Sequence, residues 1–309
     1  MPTPILIDCD PGHDDAMAIL LALASPEVEV RAVTTVAGNQ TLPKVTANAI
    51  RVLDLAGRHD VPVAGGADRP LIGRGGKVAS DVHGETGLDG PDLPPPSREP
   101  EPVHAVELLA RMLRAGPHTL VPIGPLTNVA LLLALHPELA GRIERIVLMG
   151  GAIAEGNTTP AAEFNVWVDP EAAARVFNSG VDVTMVGLDV THRALLTTER
   201  VEKLRSEGGR AAQVVADLHA FYSRFHARVY RFDGAPVHDA LALAHVFKDD
   251  LLTTEHLPVQ VDTGDGPSRG RTLVDRWQRT EATPNAHVAV DVDGPAFIEL
   301  LCSRIGSLP

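Results

Sequence analysis

The sequence is poor in cysteine and has no long hydrophobic run. Its 309 residues include two cysteines, Cys9 and Cys302, which are too few for a disulfide framework and are typical of a reducing compartment. No stretch of 18 apolar residues is present, so we expect no transmembrane helix. The start, Met-Pro-Thr-Pro, lacks the basic segment and apolar run of a secretory signal. We therefore expect a cytoplasmic protein that does not bind a membrane.

Aromatic residues are scarce as well, at 4% of the chain against 44% for all hydrophobic residues. The core must therefore consist mainly of Ala, Val and Leu. A chain of this length buries roughly three quarters of its unfolded surface, so it needs no disulfide for stability. We predict a single domain over residues 1–309, because strands and helices alternate along the whole chain.

Positive charge is the third shortage. The formal net charge is −13, and Lys and Arg are scattered without forming a basic patch. A field of this sign repels nucleic-acid polymers and anionic membranes. The expected partner is therefore a small neutral or cationic ligand.

Short β-rich segments alternate with amphipathic helical segments, which predicts an α/β fold with an open, mostly parallel, doubly wound sheet and helices on both faces. The predicted strands cover residues 5–10, 28–36, 61–66, 119–124, 145–151, 181–186, 257–263 and 286–293. The predicted helices cover residues 14–24, 41–56, 104–115, 127–135 and 170–178, two or three segments within 198–248, and a last one from Pro295. Ligands of such sheets bind at the carboxyl ends of the strands, so we expect the functional residues there.

A Gly- and Pro-rich stretch at residues 73–102 interrupts this alternation. It is too long for a simple connection between two elements, and we interpret it as an active-site flap or an ordered cover. It is not interpreted as a linker between domains, because the strand–helix pattern continues unchanged after it.

Four aspartates lie within eight positions in the segment "DCDPGHDDA" at residues 8–16. Asp8 and Asp10 lie at the end of a predicted strand, and Asp14 and Asp15 begin the next helix. A helix N-terminus stabilises a nearby carboxylate by about 0.3–1 kcal/mol, which is too little to hold four of them together. Oxygen ligands without a Cys or His pattern indicate a hard cation, Ca²⁺ or Mg²⁺. The alternative is that the aspartates have separate roles in capping, solvation and ion pairing.

Two further motifs place polar residues beside helices. In "PVHDALAL" (236–243), Asp239 can complete a metal shell and His238 can donate a proton, or the pair can be a helix cap with a surface histidine. In "GNTTPAAEFNVWVDPEAA" (156–173), amides and a carboxylate suit the vicinal hydroxyls of a sugar. The alternative for this segment is an ordinary polar loop that ends in a helix cap.

These motifs together resemble those of the inosine-uridine-preferring nucleoside hydrolases. The resemblance also rests on "VAGN" (36–39), "HGETGLDG" (83–90), "IGPLTNVALLL" (123–133) and "LMGG" (148–151), in the family's order across nearly the whole chain. It implies the family's α/β fold and an enzyme that hydrolyses the N-glycosidic bond of ribonucleosides to ribose and free base with a calcium-activated water. We also expect a homotetramer or homodimer.

Carried over position by position, the resemblance assigns the catalytic and metal-binding residues. It implies that the calcium ligands are Asp10, Asp15, Asp239 and the backbone carbonyl of Ile123. Asp14 would be the general base, and His238 would be the acid that assists departure of the base. Asp8 would support the metal loop. Direct displacement with inversion is implied, through an oxocarbenium-like transition state that the carboxylates stabilise.

The substrate-binding residues are assigned in the same way. The ribose hydroxyls would be held by Asn39, Asn157, Glu163 and Asn165, with the Met149 carbonyl nearby, and His83 would line the same pocket. In the helical segment 219–234, Tyr222, His226 and Tyr230 recur every four residues and share a face. His226 and Tyr230 are the candidates that contact the base, whereas core packing fits Phe221 and Phe225 at least as well. We favour pyrimidine or broad specificity, with a preference for purines such as inosine as the alternative.

Two other functions stay open at this point. A metal-dependent phosphotransferase can also begin with a strand and D-x-D, but it would need a phosphate-binding lysine, and lysine is scarce here. A non-catalytic nucleoside-binding protein would not need Asp14 and His238 in addition to the metal ligands. Activity on inosine, uridine and p-nitrophenyl phosphate, with and without EDTA, distinguishes the three functions.

Overall fold

The central element of the computed structural model, which describes residues 1–73 and 78–309, is a sheet of mostly buried strands. The strands of the described residues are β1 (Thr3–Cys9), β2 (Val28–Thr35), β3 (Val63–Gly65), β4 (His118–Pro122), β5 (Ile143–Met149), β6 (Val183–Val186), β7 (Leu195–Leu196), β8 (Ala235–Pro236), β9 (Leu252–Leu257), β10 (Val259–Val261), β11 (Thr272–Val274) and β12 (Ala286–Val292). Eight of them form one sheet in the order β3-β2-β1-β4-β5-β6-β12-β9, and β7-β8 and β10-β11 form two small antiparallel ladders.

The helices fill the connections between these strands. They are α1 (His13–Leu23), α2 (Leu42–Leu55), α3 (Ser80–His83), α4 (Ala105–Ala115), α5 (Thr127–Leu135), α6 (Phe164–Val168), α7 (Pro170–Phe177), α8 (Leu188–Thr191), α9 (Thr198–Glu207), α10 (Arg210–Val229), α11 (His238–His245) and α12 (Gly294–Gly306). No helix in the described part of the chain is long and apolar enough to span a membrane.

The predicted fold class is confirmed. All neighbouring strands of the eight-stranded sheet pair in parallel except β12 and β9, which are antiparallel at one edge. The chain proceeds from β1 outward to β2 and β3, then returns to add β4, β5 and β6 on the other side of β1. Strand order therefore reverses between β1 and β4, and such a reversal opens a crevice at the carboxyl ends of the two strands.

Alternating side chains of β1 supply both faces of the sheet with core residues. Ile5 and Ile7 belong to one buried cluster, which includes Ile19 of α1 and Leu241 of α11. Leu6 points to the opposite face and belongs to a second cluster, built largely from α4, α5 and α7. Because successive side chains of a strand point in opposite directions, an unbroken apolar run is what a strand covered on both faces requires.

The structure differs from the predicted elements mainly inside the predicted loops. Residues 74–77 of the predicted Gly- and Pro-rich stretch lie outside the described residues. Its remaining part contains α3, and the buried side chain of Leu88 anchors it to the core. The predicted strand at 257–263 is split between the end of β9 and the separate β10. The short helices α3, α6 and α8 were missed because four or five residues are too few to show a period of 3.6.

Candidate active site

The crevice between β1 and β4 is the place where the acidic segment enters the fold. Asp10 follows β1 directly, and Ile123 follows β4. The strands are held in register at this point, since the Ile123 amide donates a hydrogen bond of 2.8 Å to the Asp8 carbonyl. The Asp8 side chain lies beneath, where one oxygen accepts hydrogen bonds from Thr34 (2.6 Å) and Asn128 (2.8 Å).

Three aspartates meet closely enough to share one ion. One carboxylate oxygen from each of Asp14, Asp15 and Asp239 lies within 4.8 Å of the others, and all three residues are buried. Two of them come from the first turn of α1 and one from the first turn of α11, which packs against α1. Asp10, predicted as a ligand, lies beside this group and is not one of the three.

Backbone groups hold two of the carboxylates in fixed positions. The Asp15 oxygens accept hydrogen bonds from the amides of Asp10 (3.1 Å) and Gly12 (2.9 Å). The amide of Asn39, at the end of the loop after β2, donates a bond of 2.6 Å to Asp10 Oδ2. Asn39 also reaches Asp15 Oδ2 with its side-chain amide at 3.2 Å. These bonds pre-organise the carboxylates at the strand ends.

Two glycines make room for the Asp10 carboxylate. A β-carbon on Gly38 would lie 2.1 Å from Asp10 Oδ2, and one on Gly124 would lie 2.6 Å from Asp10 Oδ1. Contacts this short are sterically forbidden, so any larger residue at either position would displace the carboxylate. The glycines of "VAGN" and "IGPL" therefore allow the backbone of these two loops to pack closely against the Asp10 carboxylate.

The ionised form of these buried carboxylates is unfavourable unless a cation is bound. Burial, and then the negative charge of Asp15, raises the pKa of Asp10 and of Asp14 above the usual carboxyl range. Burial, followed by the charges of Asp14 and Asp15, raises the pKa of Asp239 in the same way. Like charges gathered in a medium of low dielectric disfavour the ionised form, and a positive ion reverses this effect.

The donor set fits a hard divalent cation. Asp10 Oδ1 is buried and has no hydrogen-bond partner among the described residues, although a buried carboxylate oxygen is normally paired. The neighbouring groups of the cluster are carboxylate oxygens, and Ile123 lines the same cavity. Oxygen-only sites of this kind select Ca²⁺ or Mg²⁺ over zinc.

One wall of the cavity above the cluster is built by α6 and the strand ends beside it. Glu163 caps α6, because its carboxylate accepts bonds from the amides of Asn165 (2.9 Å), Val166 (3.1 Å) and Gly151 (3.0 Å). Burial raises the pKa of Glu163 to about 6. The Asn165 side-chain amide donates to the carbonyls of Ile123 (2.9 Å) and Met149 (3.1 Å). The sequence predicted a helix cap at Asp169 as well as sugar binding for this segment. The Asp169 cap is present, because its carboxylate accepts a bond of 3.0 Å from the Ala172 amide at the start of α7, whereas the Glu163 cap was not predicted.

Another part of the cavity wall is aromatic and rich in histidine. His238 stands at the start of α11, and its Nδ1 lies 2.6 Å from the hydroxyl of Thr191. Burial, then the neighbouring His192, lowers the pKa of His238 well below its usual value. The ring of His226 lies 6.3 Å from that of His238 and stacks on Tyr230 at 5.9 Å. This wall can contact a flat ring and offers it several hydrogen-bonding groups.

The cavity has a volume of about 100 Å³ and brings most of the predicted residues together. Those that line it are Asp14, Asn39, His83, Ile123, Met149, Asn157, Glu163, Asn165, His226, Tyr230, His238 and Asp239. Asp10 and Asp15 lie behind the lining residues and are almost fully buried.

Sequence reasoning missed several residues of this cavity. Tyr222, Phe225 and His192 also line it. Tyr222 shares a helix face with His226 and Tyr230, so the four-residue spacing was the available signal. The core interpretation of Phe225 is wrong, because it is half-buried and faces the cavity. His192 follows α8 in a segment that carried no recognisable motif.

The comparisons with known proteins agree with this geometry. The family model described as inosine-uridine preferring nucleoside hydrolase matches residues 5–299. A pyrimidine-specific ribonucleoside hydrolase RihA from Photobacterium profundum is 52% identical over 310 residues, which cover 99% of this chain and 100% of that protein. The protein of the same name from Escherichia coli O9:H4 is 52% identical over 308 residues, or 99% of each chain.

Solved structures show the same similarity. A purine-preferring ribonucleoside hydrolase from Gardnerella vaginalis superposes with a TM-score of 0.93 at 35% identity, covering 99% of each chain. A plant nucleoside hydrolase, PpNRh1, superposes with a TM-score of 0.92 at 35% identity, covering 99% of this chain and 100% of the plant protein. The matches extend over the whole length, so they include every element that builds the cavity.

Proposed function

The chain belongs to the inosine-uridine preferring nucleoside hydrolase family, and from that premise we propose a calcium-dependent enzyme that prefers pyrimidine ribonucleosides. Its reaction is hydrolysis of the N-glycosidic bond of a ribonucleoside to ribose and free base. A hydrolase activity excludes the two alternative functions left open by the sequence, a phosphotransferase and a non-catalytic nucleoside-binding protein. One observation carries the proposal: the carboxylate cluster, the Asn165 wall and the histidine wall meet in a single cavity. The cytoplasmic location and the homotetramer or homodimer stay predictions.

Calcium would be held by the carboxylates of Asp10, Asp15 and Asp239 and by the Ile123 carbonyl. The unpaired Asp10 Oδ1 supports this set, because a cation would satisfy it. A bound divalent cation supplies positive charge that lowers the pKa of the attacking water and orients it. Asp14, which lies within 4.8 Å of the Asp15 and Asp239 oxygens, would then take the proton of that water.

The ribose would lie against Asn39, Asn157, Glu163 and Asn165. Amide and carboxylate groups match vicinal hydroxyls, each of which donates one hydrogen bond and accepts others. As the C1′–N bond breaks, positive charge develops on the ribosyl ring, and the buried carboxylates stabilise it in a cavity of low dielectric. The negative field that makes this cluster unfavourable in the free protein thus favours the transition state.

The base would lie between His226, Tyr230 and His238. His238 is proposed to stabilise the departing base by hydrogen bonding. The preference for pyrimidines is supported by relatives that are 52% identical and are named pyrimidine-specific, whereas the purine-preferring neighbour is 35% identical. His83, which also lines the cavity and has its ring 5.5 Å from that of Tyr222, is proposed as a further contact to the substrate.

The metal assignment predicts the composition of the purified protein. It should contain about one calcium per chain, because the cluster consists of carboxylates, which are hard oxygen ligands. Elemental analysis by mass spectrometry measures the stoichiometry before and after EDTA treatment, and restoring calcium should restore activity. Stoichiometric zinc, or full activity in a sample without metal, would show that the assignment is wrong.

The base preference predicts a ratio of specificity constants. kcat/KM for uridine or cytidine should exceed that for inosine by at least about tenfold, since shape differences in a closed pocket are worth roughly 10–200-fold. Steady-state assays on the three nucleosides under identical calcium concentration measure the ratio. An equal or higher value for inosine would instead identify a purine-preferring or broad enzyme of the same family.

The role of His238 predicts a dependence on the leaving group. His238→Ala should reduce kcat for uridine by about 10²-fold, within the range for losing one hydrogen-bond donor to a developing charge. It should barely change kcat for p-nitrophenyl riboside, because the nitrophenolate leaves without assistance. If His238 only packs beside Asp239, both substrates should be slowed alike through a damaged metal site. Parallel kcat measurements with a calcium determination on the variant distinguish the two roles.

A further inference from the structure

The closest side-chain partner of His238 comes from a segment outside every motif of the resemblance. Thr191, the last residue of α8, is fully buried, and its Oγ1 lies 2.6 Å from His238 Nδ1. We propose that Thr191 is a positioning residue that holds the His238 imidazole with its Nε2–H directed at the departing base. This inference rests on the proposed function of His238 and goes beyond it by naming what orients the ring.

Backbone hydrogen bonds fix the distance between the two side chains. The β7 and β8 strands pair Leu196 with Ala235, and the Val237 amide donates a bond of 3.2 Å to the Ala194 carbonyl. The Thr191 amide in turn donates to the Gly187 carbonyl at 3.1 Å. The segment that carries Thr191 is therefore tied to the residues that lead directly into α11. A contact supported on both sides in this way does not depend on a flexible loop.

The direction of the hydrogen bond follows from a count of donors and acceptors. Across residues 1–73 and 78–309, the Thr191 hydroxyl makes a side-chain hydrogen bond only to His238. A buried hydroxyl normally uses its hydrogen, and leaving it unpaired is costly. Thr191 therefore donates, and His238 Nδ1 accepts. A neutral imidazole that accepts at Nδ1 carries its hydrogen on Nε2.

The edge of the imidazole that carries Nε2 is free to meet a substrate. His238 lines the cavity, and its Nε2 forms no hydrogen bond to any residue that the structure describes. His192, the residue after Thr191, has its ring 5.5 Å from the His238 ring and closes the same side of the cavity. The Nε2–H consequently points to the region proposed for the base.

The chemical step balances without a proton leaving the imidazole. The water oxygen bonds to C1′, its proton passes to Asp14, and the C1′–N bond breaks with its electron pair on the base. The Nε2–H of His238 donates a hydrogen bond to the base as this negative charge develops. The base then takes up a proton from water, and Asp14 releases one to water. The wrong tautomer would present a lone pair to the departing base and repel it.

The test uses the full-length enzyme loaded with calcium. Thr191→Val keeps the shape of the side chain and removes the hydroxyl, while Thr191→Ser keeps the hydroxyl. T191V should reduce kcat for uridine by about tenfold, the value expected for one hydrogen bond. It should change kcat for p-nitrophenyl riboside by less than about twofold. T191S should restore the wild-type ratio of the two rates.

The outcomes separate this inference from the proposed function. If His238→Ala slows both substrates equally, the leaving-group role of His238 is wrong. If His238→Ala is selective but T191V slows both substrates equally or neither, only the inference about Thr191 is wrong. Nitrogen-15 NMR of the wild-type enzyme gives a reading independent of variant folding, with the His238 signals assigned by their loss in His238→Ala. The Nε2–H tautomer is expected, and the Nδ1–H tautomer would overturn the inference.

Discussion

Asp14→Asn is expected to reduce kcat for uridine and for p-nitrophenyl riboside alike, by about 10³-fold. Both substrates need an activated water, and asparagine has nearly the shape of aspartate but cannot take a proton. The enzyme should still bind about one calcium, since Asp10, Asp15 and Asp239 are the proposed ligands. Measurements of kcat on both substrates, with the metal content of the same sample, test the prediction.

The matched variant is Asp10→Asn, which changes the same functional group on a proposed ligand. It should lose calcium as well as activity, because the Asp10 Oδ1 that has no hydrogen-bond partner would become an amide group. The structure makes this comparison necessary, since Asp14 lies in the group of three close carboxylates and Asp10 beside it. Loss of calcium from Asp14→Asn, with calcium retained in Asp10→Asn, would instead identify Asp14 as the calcium ligand and Asp10 as the general base.

2′-Deoxyuridine is expected to be hydrolysed about 10⁴-fold less efficiently than uridine, measured as kcat/KM. The substrate lacks one hydroxyl, so the group of the proposed sugar site that binds this hydroxyl would lose its partner in a buried cavity. A site built to hydrogen-bond a hydroxyl discriminates strongly against its absence because unpaired buried polar groups are costly. The sugar contact would thus contribute to the chemical step as well as to binding.

Two comparisons keep this prediction specific. 2′-Deoxyuridine has the same base and the same 5′ end as uridine, so competition against uridine measures its binding separately from its turnover. Deoxycytidine against cytidine should give a similar ratio, because the missing hydroxyl is the same and only the base differs. Similar kcat/KM values for ribo- and deoxyribonucleosides would contradict the assignment of the sugar wall.

The central sheet could be predicted from the sequence because its strands are buried on both faces. Ile5, Leu6 and Ile7 form an apolar run that is followed at once by Asp8 and Asp10, and such a run reads as a covered strand with polar residues at its carboxyl end. Short elements were predictable only where a turn or capping residue marked them. The helices α3 and α8 show no such signal over so few residues, and Glu163, which caps α6, is not one of the preferred N-cap residues.

The sequence by itself determined which chemistry the site has. The carboxylates within "DCDPGHDDA" are close to one another in sequence, and so are His238 and Asp239. This spacing places oxygen ligands and a histidine at the ends of strands and helices, however the elements pack. The tertiary structure alone decided which groups face one another. It placed Asp239 against Asp14 and Asp15, and it set Thr191 beside His238 across 47 positions of sequence. Contacts of this kind arise from strand order and helix packing, and local side-chain periodicity carries no information about them.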